Sequence, residues 1–319
     1  MKKYYLLPLF VFFLTISFSQ KKKNASEGLK SSDLTGLKFR SVGPAFMSGR
    51  IADIAINPNN ENEWYVAVGS GGVWKTVNSG TTWNPIADDQ PFYSTGCITI
   101  DPHNSSKIWL GTGENVGGRH VGIGHGIYVS ENGGKNWKSM GLKNSEHISK
   151  IIVSPQDPNT VFVAAQGPLW SPGGERGLYR TDNGGKTWKN VLSVNKWTGV
   201  TDIAIDHNNP NILYAATWQR HRNVASYMGG GPGTSIYKST DHGISWTEIK
   251  NGLPGSNLGK IGLAISPFDS TILYAAVETD RRNGAVYKTT NSGGSWKKMS
   301  DTVSGCLLYT SPSPRDSIR

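Results

Sequence analysis

An eight-residue pattern, Ser/Thr-x-Asn/Asp-x-Gly-x-x-Trp, occurs five times in this chain and restricts its fold more than any other feature. The copies begin at Thr76, Ser130, Thr181, Ser239 and Thr289. They close on Trp83, Trp137, Trp188, Trp246 and Trp296, so successive tryptophans are 54, 51, 58 and 50 residues apart. A period of that length marks a repeat architecture in which one supersecondary unit is used many times.

The residue types predict a self-contained turn. The opening hydroxyl and the side chains of Asn78, Asn132, Asn183, Asp241 and Asn291 accept bonds from nearby backbone N–H groups, which folds the chain without a partner strand. Gly80, Gly134, Gly185, Gly243 and Gly293 supply positive φ. The turn then launches a strand that carries the Trp into an apolar layer, where its ring buries a large area.

Between the copies, runs of β-branched and small residues alternate with Pro/Asn/Asp turns. Ile51 to Ile56, the turn Asn57 to Asn60, and Glu63 to Val68 form one such unit. Equivalent pairs run from Cys97 to Ile100 with Trp109-Leu110, Ile151 to Val153 with Val161 to Ala165, Ile203 to Ile205 with Ile212 to Thr217, and Ile261 to Ile265 with Ile272 to Val277. These read as buried strands. With a third strand before each turn and a fourth after it, the unit is a four-stranded antiparallel blade, and the fold class is an all-β β-propeller. Five blades are expected, an incomplete ring with exposed edges.

The eight-residue motif is identified as the Asp-box, or BNR repeat, and the run from Phe39 to about Gly305 resembles secreted bacterial proteins with a sortilin N-terminal-like propeller, often labelled glycosyl hydrolases. The resemblance implies export to the periplasm, cell surface or extracellular space. It also implies further C-terminal domains in a full-length chain. The termini fit that picture. Lys2-Lys3, an apolar run from Tyr4 to Phe18 and small residues at Ser17 and Ser19 read as a signal peptide over residues 1–19, too short to span a bilayer. Residues 20–36 read as a disordered linker, 37–305 as the propeller, and 306–319, which leave the repeat's register, as a non-native or disordered tail of a truncated chain.

Cys97 and Cys306 are the only cysteines in 319 residues, which gives neither a disulfide framework nor a metal cluster. The net charge is +10. Lys75, Arg180, Lys238 and Lys288 hold one place in four repeats, just before the turn, and read as solvated outer-face charges. Without an aromatic-rich basic motif, no nucleic-acid partner is expected. No metal and no cofactor is expected either; Glu114, His120 and His125 match no standard ligand spacing.

Strand order places the loops between second and third strands, and those joining blades, on the face opposite the Asp-box turns. Binding residues are expected there. Candidates for a peptide or carbohydrate ligand are Arg50, Glu114, Arg119, His125, Trp170, Arg176, Trp218, Arg220, Arg222, Tyr227 and Arg281, because rings stack on apolar faces and guanidinium forks pair with carboxylates. Phe92, Tyr93, His147 and Trp197 share that face. The leading expectation is a ligand-binding propeller.

The alternative is a glycoside hydrolase of xyloglucanase or sialidase type. That chemistry needs two carboxyl groups about 5 to 9.5 Å apart. Asp88, Asp89 and Glu114 are the candidates, with Glu146, Glu175 and Glu278 as further acids. Xyloglucanase-like propellers carry a catalytic Asp just before the Gly-Gly that opens the first blade's third strand. Here Gly69-Ser70 precedes Gly71-Gly72. A sialidase-like Phe-Arg-x-Pro signature is only echoed at Phe39-Arg40-Ser-Val-Gly-Pro44, with two extra residues.

Overall fold

The computed structural model describes residue 36 and residues 50–118, 121–279 and 284–300. The described residues from 50 onward lie in one compact unit, Ser48–Arg319. The signal-peptide and tail expectations lie outside them, as do Arg40, Arg119, His120 and Arg281.

Every regular element among these residues is a β-strand. The first sheet is β1 (Ile51–Ile56), β2 (Trp64–Val68), β3 (Gly72–Thr76) and β4 (Asn84–Pro85). The second is β5 (Thr95–Asp101), β6 (Asn104–Thr112), β7 (Ile127–Ser130) and β8 (Lys138–Gly141), and the third β9 (Ile148–Val153), β10 (Val161–Ala165), β11 (Gly177–Thr181) and β12 (Lys189–Leu192). The fourth is β13 (Thr198–Ile205), β14 (Leu213–Gln219), β17 (Ile236–Ser239) and β18 (Thr247–Glu248). A small hairpin, β15 (His221–Arg222) with β16 (Tyr227–Met228), branches from it. The fifth is β19 (Leu258–Ile265), β20 (Leu273–Thr279), β21 (Ala285–Thr289) and β22 (Lys297–Lys298). All neighbours pair antiparallel, the four-strand unit that the 50-odd-residue period predicts.

The turns close as their residue types dictate. Thr181 Oγ accepts from Asn183 N and Gly185 N at 3.3 and 3.0 Å and donates to Asn183 Oδ1 at 2.8 Å. Asn183 Oδ1 then accepts from Thr187 N at 3.0 Å. The residue before each conserved glycine also sits at positive φ: Ser79, Gly133, Gly184, His242 and Ser292, at 53 to 69°. Its N–H donates to the turn between the first two strands of the same sheet, at Asn62, Asn159, Asn211 and Thr271, or to the start of the second strand, at Ser106. Both sets of turns therefore share one end of each sheet, and the longer loops emerge at the other.

Packing runs from sheet to sheet. Phe162, Ala164 and Leu178 of the third sheet bury against Val200, Ile203, Ile205 and Leu213 of the fourth, and Tyr214, Ala216 and Ile236 of the fourth bury against Ile261, Leu273 and Tyr287 of the fifth. Fully burying such side chains contributes about 1.5–3 kcal/mol each. Three of the motif tryptophans bond between sheets, while Trp246 Nε1 donates to Gly243 O of its own turn at 3.2 Å. Trp137, Trp188 and Trp296 donate through Nε1 to Ile86, Met140 and Ile249 O of the preceding sheet or its outgoing loop, at 3.3, 2.7 and 3.1 Å.

Two details differ from the sequence reading. Four first strands begin two to five residues earlier than expected, because each carries a register shift that interrupts its alternation, as between Val200 and Asp202; β1 carries such a shift between Ile51 and Asp53 but begins where expected. At two of these bulges a carboxylate reaches the next first strand: Asp53 Oδ2 accepts from Ile98 N, and Asp202 Oδ2 from Leu263 N. The repeated basic residues are also not simply solvated. Arg180 donates to His242 O of the next sheet at 2.6 Å, and Lys238 to Ser292 O at 3.0 Å.

Candidate functional site

At the loop end, the segment after β6 crosses toward the third, fourth and fifth sheets. Asn115 is its keystone. Lys260 Nζ of β19 donates to Asn115 O and Oδ1 at 2.6 and 3.0 Å, Asn115 Nδ2 donates to Ser149 O at 3.3 Å, and Gln166 Nε2 donates to Asn115 Oδ1. Burial, with the neighbouring Arg220 charge, lowers the Lys260 ammonium to about 8. The chain's own loop thus occupies ground where sequence order had placed a ligand.

Of the expected ligand residues, Arg220 holds that loop in place and Arg176 braces the loop after β10. Arg220 is fully buried, donates to Val116 O and Gly167 O at 3.1 and 3.4 Å, and lies over the buried Trp218 ring. Burial pulls its guanidinium down to about 9. Arg176, 5% exposed, donates to the carbonyls of Gly173, Gln166, Trp197, Ser171 and Pro168. These guanidiniums are spent on backbone oxygens, an outcome no sequence signal distinguishes from a ligand fork. Arg222 stacks 4.5 Å from the centre of the Tyr227 ring on the β15–β16 hairpin, and Trp170 stands half exposed on its own loop.

Glu114 is 2% exposed. Its Oε1 lies 2.6 Å from Arg50 Nη2 and its Oε2 accepts from Gly122 N at 2.8 Å. A Cβ added to Gly69 would lie 2.5 Å from Glu114 Oε1. The Glu114 carboxylate, from the loop of the next sheet, therefore lies directly against Gly69 and is held in an ion pair. Substituting Glu114→Gln keeps the shape and loses the charge, and is expected to cost about 1–2 kcal/mol, a fall in Tm of about 2–8 °C. Thermal melts beside ligand titrations check this: an unchanged Tm with lost binding would make Glu114 a ligand group instead.

The open cleft at this end lies between the first and second sheets. It has a volume of about 740 Å³ and is lined by the loop joining β4 to β5 together with residues before β3 and β7. Tyr93 is 58% exposed on its wall, with Asp88, Gln90 and His125 around it. Ser94 Oγ, buried against it, has no hydrogen-bond partner among the described residues. Asp88 is the only carboxylate among the lining residues. Asp89 faces another depression, with Lys75 and Lys135, near the second sheet's turn. Of the expected residues the cleft gathers Asp88 and His125. Tyr93 belongs to the same wall, although no local pattern sets it apart from other loop aromatics.

Glu146 and His147 precede β9. Glu146 holds φ at +64°, and burial raises its carboxyl despite the nearby Arg176 and Arg220 charges. His147 is buried, with Nδ1 3.0 Å from Glu114 O. Burial first, then the Arg220 charge, depresses it to about 3.

Residues 178–317, less than half of the chain, match the family described as Sortilin-Vps10 (sortilin, neurotensin receptor 3). A xyloglucanase of Hypocrea jecorina is 26% identical over 258 residues, covering 69% of this chain and 28% of that protein. A Paenibacillus xyloglucanase is 23% identical over 290 residues, covering 82% and 27%. The chain thus spans little more than a quarter of the length of these two relatives. Among solved structures, the GH74 xyloglucanase of Xanthomonas campestris superposes with a TM-score of 0.61 at 16% identity, covering 78% of this chain and 38% of that one. An ancestral GH74 enzyme gives 0.59 at 24%, covering 79% and 31%. The described sheets have the all-β, propeller-like fold of those enzymes, and the relatives favour the glycoside-hydrolase alternative over a sortilin-like ligand binder.

Proposed function

We propose that this chain is part of a glycan-acting propeller protein related to the xyloglucanases, and that the cleft beside Tyr93 is a sugar-binding subsite. The exposed Tyr93 ring, in one cleft with Asp88, Gln90 and His125, carries the reading. A pyranose presents an apolar face to such a ring and hydroxyls to the polar groups beside it. A two-carboxylate mechanism needs a facing pair. The cleft supplies one acid, Asp88, while Glu114 is withdrawn into its pair with Arg50. These sheets accordingly bind and orient polysaccharide, and hydrolysis requires a second carboxyl beyond the cleft wall.

Isothermal titration with xyloglucan oligosaccharides tests the proposal. Tyr93→Ala is expected to weaken binding roughly tenfold or more, the loss of about 1.4 kcal/mol or more of stacking, with an unchanged melting curve. Absence of binding to xyloglucan and to cello-oligosaccharides by the unsubstituted protein overturns it.

A further inference from the structure

Phe92, on the loop that joins the first sheet to the second, packs into the second sheet's aromatic pair. Its ring centre lies 4.5 Å from that of Tyr128 and 5.9 Å from that of Trp137, with the planes inclined by 52° and 87°. Inclined and edge-on contacts of this kind suit the charge distribution of aromatic rings. Phe92 and Tyr128 are both buried, at 4% and 6% exposure.

The third sheet repeats the socket without the ring. Tyr179 stands two residues before the motif's opening Thr181, as Tyr128 stands before Ser130, and Trp188 closes its turn as Trp137 does. No ring among the described residues meets Tyr179. Tyr179 and Trp188 are only partly buried. Between the second and third sheets lies a groove of about 570 Å³, whose apolar lining is Tyr179 and Trp188 with Met140 and Leu142. Both sheets have a described neighbour on their other side.

The charges on this groove are particular to it. Lys138, the residue after Trp137, and Lys186, two before Trp188, both line it. The same two positions hold Asn84 and Lys135 between the first and second sheets, Lys189 and Ile244 between the third and fourth, and Thr247 and Gly294 between the fourth and fifth. The second and third sheets alone among these pairs carry a lysine on each side. Both lysines are exposed, and among the described residues neither makes an ion pair or a hydrogen bond. Glu175, the one carboxylate on the lining, accepts from Asn144 N through Oε2 at 2.7 Å.

We propose that this groove binds a small aromatic carboxylate. Its ring sits against Tyr179 and Trp188 as Phe92 sits against Tyr128 and Trp137, and Lys138 and Lys186 hold its carboxylate. The chain itself supplies the pattern for the ring, and the two unpaired ammonium groups supply the charge complement. A cleft of this volume, largely apolar with a few polar groups, is of the kind that takes small molecules. The site is separate from the cleft beside Tyr93, with which it shares no lining residue.

Titration of the full chain with para-fluorophenylpropanoate, read by broadening of the ligand's fluorine resonance, tests this. Binding is expected with a Kd on the order of 1 mM or tighter, as suits so small a ligand. Lys138→Glu combined with Lys186→Glu is expected to weaken it on the order of tenfold and to leave the melting curve unchanged. Lys250→Glu combined with Lys297→Glu makes the same change of charge elsewhere and is expected to leave binding as it was. An unsubstituted chain that gives no broadening overturns the proposal, as does equal weakening by the two pairs of variants. Equal binding of para-fluorophenethylamine, whose charge is opposite, overturns it too. Displacement of the probe by glucuronate as readily as by phenylpropanoate rejects an aromatic ligand in favour of a sugar acid.

Discussion

Gly243→Ala is expected to lower the melting temperature by about 4–20 °C, a loss of about 2–5 kcal/mol in a domain of this size. Two costs add. A non-glycine residue at φ +77° pays about 1–2 kcal/mol of backbone strain. The new Cβ would also lie 2.5 Å from Cε1 of Phe162, the aromatic side chain by which the third sheet packs on the fourth, and overpacking a buried contact costs about 1–3 kcal/mol. Gly80→Ala separates the two effects. Its φ is +86°, but its Cβ would meet nothing closer than Trp83 at 3.5 Å, so only the strain remains. Calorimetric melts of both variants check the account. Equal losses would show that the turn does not press against the neighbouring sheet.

Acidification is expected to weaken the fold through His147. Its folded pKa is near 3, against about 6.5 in an unfolded chain. Between those values the unfolded state binds a proton that the folded state excludes, so stability falls as pH drops, by up to about 1.4 kcal/mol per pH unit. The loss at pH 5 is about 2 kcal/mol, or about 4–8 °C in Tm. Glu146 acts with the opposite sign. Its raised carboxyl holds its proton to higher pH in the folded state, which favours folding as pH falls toward the ordinary carboxylate range. Melts of the unsubstituted protein and His147→Gln between pH 7.5 and 4 isolate the imidazole. The variant is expected to lose less stability over pH 6.5 to 5, and parallel curves would remove His147 as the cause.

The fold was legible in the sequence wherever its determinants are local. Thr181, Asn183 and Gly185 specify their turn through bonds spanning two to four residues, and any chain with those residues in that order makes the same bonds. Strand alternation was legible for the same reason, except across the bulges, where one extra residue breaks the period of two. The site was legible as a face and not as a set of roles. Whether an arginine meets a ligand or a carbonyl depends on partners far along the chain, as with Arg220 and Val116, 104 residues apart. Glu114 was recognisable as an acid in the right loop, but its pairing with Arg50 spans 64 residues and no local pattern announces it. Tyr93 gains its place only because sheets one and two leave a gap at that point.

The bond from Lys260 to Asn115 joins residues 145 apart in the chain. Closing so long a segment costs entropy that no short-range contact returns, so this tether forms only once the intervening sheets are stacked. The loop end is thereby expected to settle after the sheets that it bridges. Its order also reports that the second and fifth sheets have found each other.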